Sequence, residues 1–389
     1  MSRARGPILT PVELLARLVA FDTTSYKNNL GLIAFVEDYL RAHGVPSQRI
    51  VSDDGQKSSL YATIGPADEG GIALSGHTDV VPVDGQDWTS DPFTLRAEGG
   101  RLYGRGSADM KGFLAASLAA VPDFKKRKLK KPIHLAFSYD EEVGCIGVRP
   151  MIAELGKALP KPRMVIVGEP TSMQVVDAHK GPVRWRVDVK GRAAHSSMAH
   201  LGVNAVTYAT RLISELDRME AELKKRVIDV RFEPPYSTLQ VTTIDGGTAT
   251  NIVPVHCSFV FDIRALPGLH PDEIEDRLRR YAETHCLPEM HAIAPEVGID
   301  IERVNSIPPF GAEPSSEVVA LALKLTGQNQ TYGVSYGTEA ALFQDAGAPS
   351  VVCGPGDIAQ AHTADEWIAE TEIAKCMGFL DRLGAWAET

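Results

Sequence analysis

The chain of 389 residues has few cysteines, few basic residues and no long apolar run. Its five cysteines are scattered without CxxC spacing, which argues against a structural zinc knuckle and favours reduced thiols in a cytoplasmic protein. No run approaches the roughly 18 apolar residues of a membrane span, so we expect no membrane partner. Lys and Arg number 40 against 50 Asp and Glu, and the net charge of -10 argues against a nucleic-acid partner.

The composition is otherwise that of a globular protein, with 44% hydrophobic and 23% charged residues. The length exceeds what one hydrophobic core usually holds, and we expect two domains. Helices near 11–21 and 28–43 precede an alternation of strands and helices that continues to about residue 180. This alternation predicts an α/β domain with a mostly parallel sheet flanked by helices.

Five short segments each lead to an acid or a histidine. They are 72–76 before His77 and Asp79, 101–106 before Asp109, 133–137 before Glu141 and Glu142, 164–168 before Glu169, and 350–354 before His362. Buried strands read as continuous apolar runs, and open α/β sheets bind ligands beyond the carboxyl ends of their strands. Two histidines and several carboxylates on one rim would make a metal site suited to zinc or its neighbours. The sequence therefore predicts a metal-dependent hydrolase.

Each of these residues alone has a simpler interpretation. His77 could be a structural histidine beside a solvated Asp79, or a metal ligand whose other ring nitrogen is held by Asp79. Asp109 could be the N-cap of a helix over 110–121. The three acids at 140–142 could form a solvated turn, although the preceding strand reads as buried. Their shared placement at strand ends is what favours the metal site.

Residues 183–305 have a pattern of their own. Strands and helices follow in the order strand-helix-strand-strand-helix-strand, which is the split βαβ order. We therefore predict an inserted α+β domain of the ferredoxin-like type at 183–305, within a discontinuous catalytic domain of 1–182 and 306–389. An alternating strand and a helix of the insertion could pair across a two-fold axis, so we expect this lid or dimerisation domain to form a homodimer.

Four motifs give the chain a specific resemblance. They are Ser75-Gly76-His77-Thr78-Asp79-Val80-Val81-Pro82, Gly104-Arg105-Gly106-Ser107-Ala108-Asp109-Met110-Lys111-Gly112, Asp140-Glu141-Glu142-Val143-Gly144 and Gly168-Glu169-Pro170-Thr171. In this order they resemble the M20-type metallopeptidase family, which contains acetylornithine deacetylase, succinyl-diaminopimelate desuccinylase, aminoacylase and glutamate carboxypeptidase. The resemblance covers nearly the whole chain.

The resemblance implies a site for two divalent metal ions, with Zn2+ as the first choice and Co2+ as the alternative. Asp109 would bridge the ions, and each ion would be completed by one histidine and one glutamate: His77 and Glu169, and His362 and Glu142. Glu141 would be the general base. The resemblance also implies a cis peptide after Asp109.

The same resemblance assigns His195 a role as donor to the oxyanion, supplied by a partner subunit or by domain closure. Without the family resemblance, the sequence is equally compatible with a His195 that caps a helix or lies in a polar loop. Two further segments, 334–340 and 354–362, resemble the acetylornithine deacetylase branch of the family, which often has Cys where this chain has Gly337.

We therefore expect hydrolysis of N2-acetyl-L-ornithine to L-ornithine and acetate, a step of arginine biosynthesis. Other small N-acyl amino acids, succinyl-diaminopimelate or a C-terminal glutamate peptide bond are the alternative substrates, and the departure at Gly337 keeps them open. A metal-binding or scaffold protein without catalysis is the alternative from a different class.

Recognition of an N-acyl amino acid requires a cation for its α-carboxylate. Arg264 is the candidate because it ends an apolar strand and a guanidinium meets a carboxylate bidentately; a surface salt bridge is the competing interpretation. Asn251 and Thr338, next to Gly337, could add contacts to the substrate. Glu339 could attract the ammonium group of ornithine or form a structural ion pair.

Overall fold

Residues 7–66 and 70–389 are described by a computed structural model, and residues 1–6 of the predicted catalytic domain lie outside this range. The chain divides into two units. The first comprises Met1–Asp177, Gly311–Tyr332 and Thr338–Thr389, and the second comprises Ala178–Phe310 and Gly333–Gly337. The second unit encloses the predicted insertion at 183–305, starts and ends a few residues outside it, and adds the separate segment 333–337.

Helices and strands alternate along most of the described residues. The α-helices are α1 (Pro11–Val19), α2 (Leu30–Ala42), α3 (Gly112–Phe124), α4 (Val148–Glu154), α5 (Ala205–Arg226), α6 (Asp272–Tyr281), α7 (Leu287–Ile293), α8 (Glu317–Thr326), α9 (Ala340–Asp345) and α10 (Glu370–Ala387). The strands are β1 (Ser47–Val51), β2 (Ser58–Ile64), β3 (Ile72–His77), β4 (Arg96–Glu98), β5 (Arg101–Tyr103), β6 (Ile133–Ser138), β7 (Met164–Pro170), β8 (Val176–His179), β9 (Gly181–Lys190), β10 (Thr238–Gly246), β11 (His256–Ala265), β12 (Gly298–Ser306), β13 (Phe310–Gly311), β14 (Tyr332–Val334), β15 (Ser350–Gly354) and β16 (Trp367–Ala369). Among these helices, none combines the length and apolar character needed to cross a bilayer.

The large sheet has a parallel centre. Its strand order is β1-β2-β6-β3-β7-β15, followed by the short strands β8, β13 and β14 where the chain passes between the two units. Strands β6, β3, β7 and β15 run parallel to one another, whereas β1 and β2 are antiparallel at one edge. The predicted fold class, a mostly parallel sheet flanked by helices with a smaller α+β part, is confirmed.

The parallel strands are buried on both faces. Every residue of β3, β6, β7 and β15 is buried, and their apolar side chains share one core with α1, α3 and α10. This is the burial that continuous apolar strands require. Gly168 of β7 allows a close approach, because a Cβ there would lie 2.1 Å from ring atoms of Phe113 in α3. The helix can therefore pack against the strand directly before Glu169.

One local prediction is wrong, and a second needs its bounds corrected. The segment 101–106 is not a strand of the large sheet: β5 is short, half-exposed and paired with β4 and β16 in a separate three-stranded sheet. Its alternating exposure suits a small surface sheet rather than a buried parallel strand. The helix expected over 110–121 begins at Gly112 instead, because Asp109 and Met110 have non-helical backbone angles.

The second unit is an α+β sandwich. Its sheet has the order β10-β11-β9-β12 with every neighbouring pair antiparallel. Helices α5 and α6 lie between the strands in sequence, as the split βαβ order predicts, and their apolar faces share one core with the sheet. Inside this core Trp185 stacks on Phe261 with 5.0 Å between ring centroids. The role of this second unit as a lid or dimerisation domain stays a prediction.

Candidate metal centre

The carboxyl ends of four adjacent parallel strands carry most of the predicted site. His77 is the last residue of β3, Glu169 lies near the end of β7, and Glu141 and Glu142 follow β6. His362 follows β15 through a loop. These strands are neighbours in the sheet and point the same way, so their ends bring residues that are remote in sequence to one rim.

Asp109 lies between the two histidines. Its Oδ1 is 3.0 Å from Nε2 of His77, and its Oδ2 is 3.2 Å from Nε2 of His362. Nε2 of His77 is also 3.8 Å from Oε1 of Glu169, while Nε2 of His362 is 3.1 Å from Oε1 of Glu142. The structure thus forms two donor sets, each with one histidine and one glutamate, that share a single carboxylate.

The backbone around Asp109 excludes one of the simpler interpretations. Asp109 has an extended conformation with φ -120° and ψ 95°, and its peptide bond to Met110 is cis. Helix α3 begins three residues later, with Lys111 at its N-cap position. Asp109 is therefore not an N-cap, and its carboxylate faces the two imidazoles.

Asp79 connects His77 to the turn that carries the acids. The main-chain oxygen of Asp79 is 2.9 Å from Nδ1 of His77 and fixes a hydrogen on that nitrogen, since a carbonyl can only accept; the carboxylate Oδ1 lies farther away, at 3.5 Å. The carboxylate accepts hydrogen bonds from the hydroxyl of Ser25 at 2.8 Å and from the amides of Glu141 and Glu142 at 3.1 and 3.3 Å. Asp79 is 2% exposed, so it is not a solvated loop acid.

The acids and histidines of the site shift one another's pKa values. Burial raises the pKa of Glu169 and of Glu141 well above the ordinary value, and the neighbouring carboxylates raise both further. Burial also acts on Asp109, but hydrogen bonds from His362 and His77 outweigh it and hold the pKa of Asp109 low. The bonds to Asp109 and Glu142 in turn raise the pKa of His362 to about 10. The site is rich in negative charge and favours cations.

The donor atoms fit divalent metal ions. Ligand atoms of His77, Glu141 and Glu169 lie within 4.8 Å of one another, and so do those of His77, Asp109 and Glu142. Oε1 of Glu169 is buried and has no hydrogen-bond partner among the described residues. Imidazole nitrogens and carboxylate oxygens are ligands of zinc and cobalt. Because Glu141 belongs to one of these groups, distance alone admits it both as a ligand and as a base.

The turn that carries Glu141 and Glu142 is buried, not solvated. Glu141 is 9% exposed, and the thiol of Cys145 donates to its Oε1 at 3.4 Å. Asp140 lies 2.5 Å from the ammonium of Lys57, and both Asp140 and Cys145 have φ of 53°, which makes the turn sharp. The contacts of Ser25, Lys57 and Cys145 were not predicted, because nothing in their spacing distinguishes them from other residues.

Thr338 and Glu339 are buried in the first unit. The hydroxyl of Thr338 accepts a hydrogen bond from the amide of Ala340 at 3.1 Å, at the start of α9. The carboxylate of Glu339 accepts hydrogen bonds from Ser75 at 3.0 Å and from Ser138, and burial raises its pKa to about 7. Both side chains are thus engaged within the unit, and their contact with a substrate stays a prediction.

His195 and Asn251 are neighbours in the second unit. Nδ1 of His195 accepts from the amide of Ser197 at 3.2 Å and so caps the turn Ser196–Leu201. The amide of Ser196 donates to the main-chain oxygen of Asn251 at 2.9 Å. A neutral ring that accepts at Nδ1 carries its proton on Nε2, so the cap leaves the Nε2 hydrogen of His195 free to donate. Its catalytic role stays a prediction.

Arg264 and Gly337 are also in the second unit. Nε of Arg264 lies 3.3 Å from Oδ2 of Asp262, which is the salt bridge of the competing interpretation, and the side chain is 38% exposed. A Cβ at Gly337 would lie 2.5 Å from Cδ of Pro182, the residue that faces Arg264 across β9 and β11. A cysteine at 337 would therefore require Pro182 to move.

Comparison with known proteins agrees with the site. The family model described as Peptidase family M20/M25/M40 matches residues 73–385. The chain is 35% identical over 374 residues to the acetylornithine deacetylase of Myxococcus xanthus, covering 95% of each chain. It is 36% identical over 367 residues to the acetylornithine deacetylase of Proteus mirabilis (strain HI4320), covering 92% of each.

Solved structures show the same fold. The M20 family metallo-carboxypeptidase Sso-CP2 of Sulfolobus solfataricus superimposes with a TM-score of 0.76 at 21% identity, covering 97% of this chain and 99% of that one. The matched range includes the ends of all four parallel strands, where the two donor sets share Asp109. The chain therefore belongs to peptidase family M20/M25/M40, and it is a metallohydrolase that acts on amide bonds.

Proposed function

We propose that this chain hydrolyses N2-acetyl-L-ornithine to L-ornithine and acetate, a reaction of arginine biosynthesis in the cytoplasm. The observation that supports it best is the carboxylate of Asp109 between the two imidazoles, with one further glutamate beside each. The similarity to two acetylornithine deacetylases over nearly the whole chain favours this substrate.

The residues that would hold the metal ions follow from the two donor sets. His77 and Glu169 would hold one divalent cation, His362 and Glu142 the other, and Asp109 would contribute one oxygen to each. Two such cations, Zn2+ or Co2+, supply a water whose pKa is lowered to about 7 and a Lewis acid for the amide carbonyl.

Glu141 would move the proton. Its carboxylate is buried beside His77 and Glu169, and its raised pKa gives it the affinity for a proton that a general base needs. It takes a proton from the attacking water and then passes it to the leaving amine nitrogen. The Nε2 hydrogen of His195 would stabilise the oxyanion of the tetrahedral intermediate.

The second unit would supply most of the substrate recognition. Arg264 would bind the α-carboxylate, with Asn251, Gly337 and Thr338 contributing further contacts. Glu339 would face the ammonium group of the ornithine side chain. We also propose that the protein is a homodimer through its second unit.

One observation favours a second candidate substrate. Gly337 stands where the acetylornithine deacetylase branch often has Cys, and it packs against Pro182 opposite Arg264. The packing beside the proposed carboxylate site thus departs from that branch. Another N-acyl amino acid, succinyl-diaminopimelate or a C-terminal glutamate peptide is the alternative substrate.

A substrate panel tests the proposed reaction. We expect kcat/KM on N2-acetyl-L-ornithine to exceed that on acetylmethionine, succinyl-diaminopimelate and glutamyl peptides by about tenfold or more, the scale on which one pocket discriminates between substrates. Chelation should abolish the activity, and Zn2+ or Co2+ should restore it. Equal rates across the panel would reject the acetylornithine assignment, and metal binding without any hydrolysis would indicate a protein that has lost catalysis.

Metal binding should release protons. The pKa of His362 is raised to about 10, so its ring is protonated at pH 7 in the metal-free protein. Burial lowers the pKa of His77, but the neighbouring carboxylates of Asp109 and Asp79 outweigh it and raise that pKa. A metal ligand must be a neutral ring or an ionised carboxylate. We therefore expect at least one proton, that of His362, to leave when Zn2+ or Co2+ binds, and Glu169, whose pKa is raised, can add to the release. Affinity should therefore rise as the pH rises towards 10. Calorimetry of the chelated protein in buffers of different ionisation enthalpy measures this number, and no release would contradict the histidine assignment.

Glu141→Gln and Glu142→Gln separate the base from the ligand. Glu141→Gln should keep the metal content of the wild type and lower kcat by about two to four orders of magnitude, because only the proton acceptor is removed. Glu142→Gln should lower the metal content, because it removes a ligand. Elemental analysis and steady-state kinetics on both variants measure the difference. A comparable loss of metal in Glu141→Gln would show that base and ligand are exchanged.

Arg264→Ala tests the proposed carboxylate site. Loss of a charge-assisted hydrogen bond, worth about 1.5–3 kcal/mol, should raise KM about 10- to 100-fold with a small change in kcat. Arg186→Ala is the matched control, since Arg186 forms the same kind of ion pair with Asp188 on the neighbouring strand β9. Unchanged kinetics in Arg264→Ala would show that the carboxylate is bound by another group.

A further inference from the structure

Two loops of the first unit meet at a buried ion pair between Arg105 and Glu366, neither of which has an assigned role in the metal centre. Nη1 of Arg105 lies 2.8 Å from Oε2 of Glu366, and each side chain is 1% exposed. Arg105 is in the loop that leads to Asp109, and Glu366 follows His362 in the loop after β15. The pair therefore links the loops that carry the shared carboxylate and one of the two histidines.

Both carboxylate oxygens of Glu366 accept hydrogen bonds from donors in the Asp109 loop. Its Oε1 accepts from the amides of Ala108 at 2.9 Å and Asp109 at 3.1 Å. Its Oε2 accepts from the amide of Gly106 at 2.9 Å in addition to the guanidinium of Arg105. The amide of Asp109 itself is thus held by this side chain, which fixes the backbone from which the shared carboxylate projects.

The other end of the pair holds the loop of His362. Nη1 of Arg105 donates to the main-chain oxygen of Thr363 at 3.3 Å, and Nη2 donates to the side-chain oxygen of Gln86. The side-chain Nε2 of Gln86 donates to the main-chain oxygen of His362 at 2.9 Å. His362 has φ of 60°, a left-handed conformation that a non-glycine residue rarely adopts without support from its surroundings.

We propose that Glu366, through Arg105 and the amides of the Asp109 loop, is a positioning residue that sets Asp109 and His362 at the separation required for binding the metal ions. This inference rests on the proposed function, since it assigns both residues as ligands. Glu366 does not contact the ligand side chains themselves. It acts through the backbone on either side of them, and groups that orient metal ligands in this way affect metal affinity.

Glu366→Gln is the sharpest substitution. Glutamine has the same shape, but all four partners of Glu366 are donors and divide equally between its two oxygens. In either orientation, the amide NH2 of glutamine would face two donors, so the loop must shift or leave buried amides unsatisfied. The expected result is metal affinity about 10- to 100-fold weaker, as measured by competition with a chromophoric chelator for Zn2+ and by the absorption spectrum of bound Co2+.

A positioning role makes a prediction that general support of the fold does not. Excess Zn2+ should restore most of the kcat of Glu366→Gln, because the substrate and catalytic groups are intact and only occupancy is reduced. KM for the substrate should stay within about twofold of the wild type, since removal of a group that does not bind substrate leaves binding unchanged. A loss of kcat that excess metal does not restore, at wild-type metal affinity, would overturn the proposal.

Glu215→Gln is the matched control. Glu215 is 7% exposed and lies 3.0 Å from Arg218 and 2.9 Å from Arg277 in the second unit. The substitution removes the same charge from a buried carboxylate that also pairs with arginine, although these arginines are 63% and 35% exposed. We expect a smaller change in the unfolding temperature of the metal-free protein, because the arginine partners are partly exposed, and no change in metal affinity. If both variants lose metal affinity equally, the effect of Glu366→Gln is not local and the proposal fails.

Gln86→Leu is a second test of the proposal, for the case that the Glu366→Gln variant does not fold. This substitution removes the hydrogen bond to the main chain of His362 and one acceptor of Arg105. It leaves the hydrogen bonds between Glu366 and the amides of the Asp109 loop in place. It should weaken one of two metal-binding steps, whereas Glu366→Gln should weaken both. Wild-type affinity at both steps in Gln86→Leu, or in a folded Glu366→Gln, would refute the inference while leaving the proposed function intact. A wild-type protein that binds no metal would refute the proposed function, and the inference with it.

Discussion

The contact on which the site depends is the carboxylate of Asp109 between the Nε2 atoms of His77 and His362. A single carboxylate with one oxygen for each imidazole requires two loops and a strand end to be placed within ångströms of one another. It also requires that a second acid lies near the same Nε2 atom of each histidine, and Glu169 and Glu142 provide these acids. The excess of buried negative charge is tolerated because protons or metal ions can occupy the space between these donors.

The parallel sheet supplies most of this placement. Side chains at the carboxyl ends of β6, β3, β7 and β15 project at one rim because these strands are adjacent and point the same way. Four of the five apolar segments in the sequence are these four strands, since a strand buried on both faces must be apolar along its whole length. The strand ends and the acids or histidines beyond them could thus be predicted from local pattern alone.

The remaining part of the site depends on tertiary contacts that local pattern does not report. The segment before Asp109 resembles the other four, yet β5 is part of a separate sheet, and Asp109 reaches the rim through a loop. That loop is held by Glu366, whose partners are backbone amides far away in the sequence. In the second unit, the order of strands and helices could be predicted from the sequence. The ion pair of Arg264 with Asp262, and the fact that residues 333–337 belong to this unit, could not be predicted. Backbone amides and ion-pair partners have no sequence signature.

The chemistry of the neighbouring residues explains why the Asp109 loop is held by a charged pair and not by apolar packing. A buried Arg and Glu are costly to desolvate, and apolar residues of similar size often stabilise a fold equally well. Apolar side chains, however, cannot accept hydrogen bonds from the amides of Gly106, Ala108 and Asp109, all of which donate to Glu366. A carboxylate accepts all three, and Arg105 balances its charge where further negative charge would oppose the neighbouring acids. The Arg105–Glu366 pair therefore allows the backbone of the Asp109 loop to be buried at the position from which Asp109 reaches both histidines.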